Sequence, residues 1–331
     1  MAVSLAWLTA AILAANPGLQ ELSQGLGSSP NGAPDLEPPA DPQAIYGGQP
    51  VDPGSWPSVV AVGTTKLCTG TLVSPTLVLT AAHCFEPAPS GTVTVSFGDT
   101  LADPTLVVGS KEWGAHAEFC LPSDCGEEIH DFAWVRLPAP VDTDLYPPTP
   151  PITDQAEFDE LMAAGAPLTF IGFGQDEQGG VGVKREVESA LSSFTATGRE
   201  FRAGGEGADS CFGDSGGPAM AQTSDGQWRL AGVLSRGGEC GEGGIYGVPL
   251  PELCWLSETS GVSLLPPGCE SCDCVDLPQA EPENEGCACV VGDAQGGDRG
   301  ENRGSGAPAW AWLGLAGLGL AVRGARARRR A

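Results

Sequence analysis

The sequence predicts an all-β fold in two halves, on three observations. Short runs rich in β-branched residues, Ser58–Val62, Leu67–Val73, Leu77–Thr80, Thr92–Phe97 and Thr105–Val108, are bounded by Gly or Pro and read as strands. Pro138, Pro140, Pro147, Pro148, Pro150 and Pro151 then mark residues 138–165 as a long connection, after which strand-like sequence resumes at Leu168–Gly174. Finally, 48 glycines and 29 prolines with only 6% aromatic residues describe a loop-rich chain of short strands.

Taken in order, residues 1–15 form an apolar run too short to span a bilayer, placed where a secretory signal belongs but without a basic start. Residues 16–44 turn to Gly, Pro, Ser and acid, and read as a disordered propeptide. Strand sequence occupies residues 45–265, ending in a short helix within Pro251–Leu265. Residues 266–306 are an acidic, Gly-rich tether carrying Cys269, Cys272, Cys274, Cys287 and Cys289. Residues 307–322 are apolar and run into an Arg-rich end; sixteen residues at about 1.5 Å each fall short of a bilayer core of ~30 Å.

The net charge of −26 understates the acidity, because five of the sixteen basic residues sit at the carboxyl end. That balance excludes nucleic acid as a partner and suits an extracellular protein. Twelve cysteines point to an oxidising compartment, where disulfides outrank zinc as the reading of the Cys269–Cys274 spacing. Cys254 lacks a partner in the strand-rich region and is expected to pair into the tail.

The chemistry concentrates in Asp209–Pro218, with Ser215 between Gly213 and Gly216. Glycines let the backbone turn sharply enough to aim N–H groups at a carbonyl oxygen, the outline of an oxyanion hole. A serine hydroxyl needs a base and an acid to orient that base. Thr80-Ala81-Ala82-His83-Cys84 and His130-Asp131-Phe132-Ala133-Trp134 supply His83 and Asp131 upstream. A metal reading of His116, Glu128 and His130 is weaker, since the apolar run after Asp131 fits a buried carboxylate that orients an imidazole; His130 reads as a rim residue.

Together with Ile45-Tyr46-Gly47-Gly48 and Val233-Leu234-Ser235, these motifs resemble the chymotrypsin/trypsin family of serine endopeptidases over residues 45–265. The resemblance implies two six-stranded antiparallel Greek-key barrels and a catalytic triad of His83, Asp131 and Ser215. It also implies an oxyanion hole from Gly213 and Ser215, and a substrate pocket built by Asp209, Ser235, Gly237 and Gly244, with Asp209 at its floor selecting Arg or Lys. Ile45, freed by a separate activating protease or by signal-type processing, would pair its α-amino group with Asp214. Bridges are implied between Cys68 and Cys84 and between Cys211 and Cys240, with a local one between Cys120 and Cys125. No cofactor or metal is implied, and the partners are protein or peptide substrates.

Two departures stand out. Arg236 occupies a place where the family has Trp, putting a cation beside a pocket for cations. No cysteine lies between Leu137 and Ser210, so loose loops are expected at 175–184, with Lys184-Arg185 as a site of nicking. The Cys-bearing tether, apolar stretch and Arg cluster resemble the sorting tails of myxobacterial surface proteins, which implies cutting near Cys287 or Cys289 and a protein either attached to the cell surface or secreted; the simpler reading is an uncut membrane anchor. The rival reading of the whole chain is a catalytically impaired binding module on the same scaffold.

Overall fold

The computed structural model describes residues 45–274, apart from positions 111, 122 and 124–128. The signal, the propeptide, the segment from 275 onward with its apolar stretch, Cys125 and Glu128 lie outside the described residues. Among the described residues no helix is long and apolar enough to cross a membrane.

The elements run β1 (Gln49–Pro50), β2 (Val59–Gly63), β3 (Leu67–Ser74), β4 (Leu77–Thr80), β5 (Val93–Phe97), β6 (Leu106–Ser110), β7 (Trp113–Ala115) and β8 (Ala133–Arg136). Helix α1 (Gln155–Leu161) follows, then β9 (Pro167–Gly172), β10 (Arg185–Phe194), β11 (Glu200–Ala203), β12 (Pro218–Gln222), β13 (Trp228–Gly237), β14 (Gly244–Gly247) and helix α2 (Leu253–Ser260). Two antiparallel sheets result, ordered β6-β5-β2-β3-β4-β8-β7 and β1-β10-β11-β14-β13-β12-β9. Among the described residues each counts seven strands, one more than the expected six. In the second sheet the extra one is β1, because pairing of β10 with β9 closes the other six into a barrel.

Side-chain alternation sets how the halves meet. On β2, Val60 and Val62 enter the first core with Val93, Val95 and Phe97, whereas Val59 and Ala61 join the second core. Successive side chains on a strand point to opposite faces, so a strand buried on both sides reads as an unbroken apolar run. The second core is anchored by Phe170, Tyr246 and Phe201, stacked with ring centroids 4.9 and 5.4 Å apart.

Two features differ from expectation, one in the connection 138–165 and one ahead of β10. Helix α1 forms inside the connection because the Asp154 side chain accepts the N–H of Glu157 at 2.9 Å, capping the first turn. Lys184 and Arg185 are not an exposed nick site: they are 1% and 4% exposed, with Lys184 Nζ donating to the carbonyl of Trp56 at 3.0 Å.

Helix α2 brackets the strand that follows Asp131. Trp134 Nε1 donates to Thr259 Oγ1 and Arg136 Nη1 to the Ser260 carbonyl, both at 3.0 Å, before Gly261 ends the helix in the left-handed region at φ +69°. Cys254, its second residue, bridges to Cys272, and Cys269 bridges to Cys274. The first part of the tether is therefore held to the helix by a disulfide, and these tail thiols are taken from any zinc site.

Candidate active site

His83 sits on a short 3-10 turn, Ala82–Phe85, that leaves β4. The Cys68–Cys84 disulfide ties this turn to β3. His83 Nδ1 lies 2.7 Å from Asp131 Oδ2, and the His83 backbone N–H donates to Asp131 Oδ1 at 2.8 Å. Ser235 Oγ adds a third donor, 2.7 Å from Oδ2. It stands at a register shift of β13 between Leu234 and Arg236, and such irregularities re-aim side chains beside functional sites. A carboxylate at Nδ1 places the ring proton there and leaves Nε2 as the acceptor.

Ser215 is held at the interface of the halves. Its carbonyl accepts the N–H of Thr69 from β3 at 2.9 Å, and the next N–H, of Gly216, donates to Leu234 at 2.8 Å. The Cys84 sulfur lies 3.8 Å from the Ser215 carbonyl oxygen and 4.0 Å from His83 Nε2, so both residues rest against one disulfide. Among the described residues no direct hydrogen bond joins the Ser215 hydroxyl to His83, and none engages the N–H of Gly213 or Ser215. Gly213 has φ +100° and Gly216 φ +78°. A Cβ on Gly216 would stand 2.0 Å from Thr80 Oγ1, so the turn admits no side chain there.

Two buried aspartates flank the serine. Asp214 is 1% exposed and accepts from Gly174 N at 2.7 Å and Cys211 N at 2.9 Å. Burial without a cation raises its pKa to about 7, against the pull of those two N–H groups. Ile45 is itself buried, and Tyr46 pairs with Asp209, whose N–H donates to the Tyr46 carbonyl at 2.9 Å.

Asp209 is 2% exposed, not a solvated loop acid. Its Oδ2 accepts from Gly243 N at 2.7 Å and Gly241 N at 3.3 Å; burial raises its pKa and these donors partly offset the rise. It lines a cavity of about 250 Å³ together with Ser215, Ser235, Arg236 and Gly237, and the Cys211–Cys240 disulfide closes one side. Gly244 sits behind the wall, paired with Gly237 across β13 and β14.

Residues 45–252 match the Trypsin family. The chain belongs to the trypsin family.

Relatives include spermosin of Halocynthia roretzi, 30% identical over 73% of this chain and 69% of that protein. Serine proteinase stubble of Drosophila melanogaster is 29% identical over 62% of this chain, and transmembrane protease serine 11C of Mus musculus 28% identical over 66%. The chain spans only 29% and 54% of the length of those two.

Trypsin-family motifs point to the residues above, but two charged residues, Glu200 and Glu252, escape a reading by motif. Glu200 grips the guanidinium of Arg236 with both oxygens, at 2.6 and 2.7 Å, so the cation in the cavity wall is compensated. Glu252, ahead of α2, meets His116 Nε2 at 3.3 Å, His130 Nδ1 at 3.2 Å and Arg199 Nη1 at 3.1 Å. These contacts hold its pKa below the usual range, with the His116 hydrogen bond the largest favourable one against the cost of burial.

His130 is thus not a rim residue: it takes the left-handed φ of +45° one position before Asp131 and is clamped by Glu252. His116, His130 and Glu252 are close enough to share an ion, but the imidazoles are stacked at 14° with centroids 4.6 Å apart. A metal must lie near the plane of each ligating ring, which stacked rings cannot both satisfy, and Arg199 already occupies the carboxylate. The trio is a hydrogen-bonded brace for the segment carrying Asp131. Cys120 is disulfide-bonded.

Proposed function

We propose that the chain is a serine endopeptidase that cleaves after Arg or Lys. The observation that carries this reading is one cavity bordered by Ser215 and floored by a buried carboxylate, Asp209. A long cationic side chain can reach such a carboxylate while lining its stem along the walls.

Ser215 Oγ attacks the scissile carbonyl carbon while His83 Nε2 takes its proton, and the N–H groups of Gly213 and Ser215 receive the oxyanion. Collapse of the tetrahedral intermediate breaks the C–N bond, and His83 returns the proton to the leaving amine. Water then repeats the sequence on the acyl-enzyme, releasing the acid and restoring Ser215. Asp131 stays ionised throughout, holding Nδ1–H and stabilising the imidazolium.

Cleavage before Ile45 supplies the α-ammonium that Asp214 lacks. Since Gln43 and Ala44 precede that bond, a protease of other specificity makes the cut. Residues 1–15 direct export, 16–44 form the propeptide, 45–265 the protease domain, and 266–306 with 307–331 tether the enzyme to a membrane or cell surface.

The test uses the full chain opened before Ile45 through an introduced protease site, with peptides carrying Arg, Lys, Phe or Ala before the scissile bond. Cleavage after Arg and Lys that is lost in Ser215→Ala is the expected result. Cleavage after Phe or Ala instead would overturn the role of Asp209, and a folded protein with no activity would establish the binding module.

A further inference from the structure

Arg236 lines the cavity that Asp209 floors, so its charge opposes entry of the cation that the cavity is built to hold. The structure contains the counter-charge. Glu200 begins β11, its side chain is 6% exposed, and it meets Arg236 Nη1 at 2.6 Å and Nη2 at 2.7 Å. A parallel fork of this kind is the strongest geometry available to an arginine and a carboxylate. The neighbouring cation, Arg199, turns instead to Glu252, so among the described residues Arg236 is the ion-pair partner of Glu200.

We propose that Glu200 is a specificity-determining residue that acts through Arg236: by cancelling the guanidinium charge in the cavity wall, it lets the Asp209 cavity accept Arg and Lys side chains. The proposal rests on the reading of Asp209 above. The wall keeps an arginine, flat and rigidly held, in place of an apolar ring, and the cavity experiences a neutral pair. The same guanidinium reaches Ser235 Oγ at 3.4 Å, so the pair also steadies the residue that donates to Asp131.

The two single variants must act in opposite directions. Glu200→Gln exposes the positive charge of Arg236 to the cavity, whereas Arg236→Gln leaves the negative charge of Glu200 uncompensated. With the full chain opened before Ile45, the quantity to measure is the ratio of kcat/KM for Arg over Phe peptides. We expect it to fall about tenfold in Glu200→Gln, to rise in Arg236→Gln, and to return to within about threefold of the parent in the double variant.

Calorimetric affinities for benzamidinium against benzamide give the same comparison without turnover. If Glu200→Gln does not fold, the rise in Arg236→Gln and its reversal in the double variant decide the matter. A parent that prefers Arg, with single variants that do not diverge, overturns this proposal alone. A parent with no preference for Arg or for benzamidinium overturns the reading of Asp209, and this proposal with it.

Discussion

Ser235 donates its hydroxyl hydrogen to Oδ2 of Asp131 at 2.7 Å, the same oxygen that lies 2.7 Å from Nδ1 of His83. Asp131 is almost wholly buried, and a buried carboxylate stays ionised only when donors surround it. Ser235→Ala removes one of three donors and leaves the other two, so we expect a stable protein whose kcat falls about tenfold. Steady-state kinetics check this; an unchanged kcat would show that the two His83 donors suffice.

The uncut chain carries a pH signature at Asp214. Its folded pKa of about 7 exceeds the ordinary 3.8, so the unfolded state releases the proton first as pH rises. The contribution of this group to stability is complete below about pH 4 and is lost as pH rises to 7, on the order of a few kcal/mol. Urea unfolding across that range is expected to show this decline in the uncut chain and not in Asp214→Asn. Opening the bond before Ile45 is expected to remove the decline, through the α-ammonium proposed to pair with Asp214.

Lys184 has the opposite slope at higher pH. Burial lowers its pKa to about 8, despite the attraction of Asp99, from 10.5. Between those values the unfolded state binds more protons than the folded one, so stability rises with pH and the cost of the buried ammonium disappears above about 10.5. Lys184→Met is expected to flatten that rise in unfolding measurements between pH 8 and 10.5.

The Cys254–Cys272 bridge closes a loop of 18 residues. In the chain-entropy account, opening a loop of that size costs about 3 kcal/mol. Cys254→Ser is expected to lower the melting temperature while leaving kcat/KM near the parent value, since the bridge lies in α2 and the tether. A loss of activity equal to that of Ser235→Ala would show instead that α2 needs the bridge to brace Asp131.

Much of the fold is legible in the chain because its strands carry a local signature. Leu77–Thr80 is predicted and observed with the same bounds, and β5 alternates Val93, Val95 and Phe97 inward. Strand β10 gives no such signal: most of Arg185–Phe194 is half-buried or exposed, so no apolar period marks it. The absence of a cysteine between Leu137 and Ser210 predicts a loose loop up to Lys184, whereas Phe173 lies beneath the Lys184 ammonium, 5.6 Å from it, and backbone carbonyls close over it. His83, Asp131 and Ser215 are readable because local motifs surround each of them. Glu200 and Glu252 are not, because their partners stand 36 to 136 positions away and nothing near either residue announces the pairing.

The staple between Cys254 and Cys272 also decides where a mechanical load would go. Tension applied to the chain beyond Cys274 divides between Cys272 and, through the second bridge, Cys269, so it enters α2 both at its second residue and along the backbone at its end, and from there passes through Trp134 and Arg136 into β8. The strand β13, which bears Ser235, and the turn of Ser215 lie off that line. A chain pulled by its carboxyl end would strain a clamped helix before it deformed its cavity.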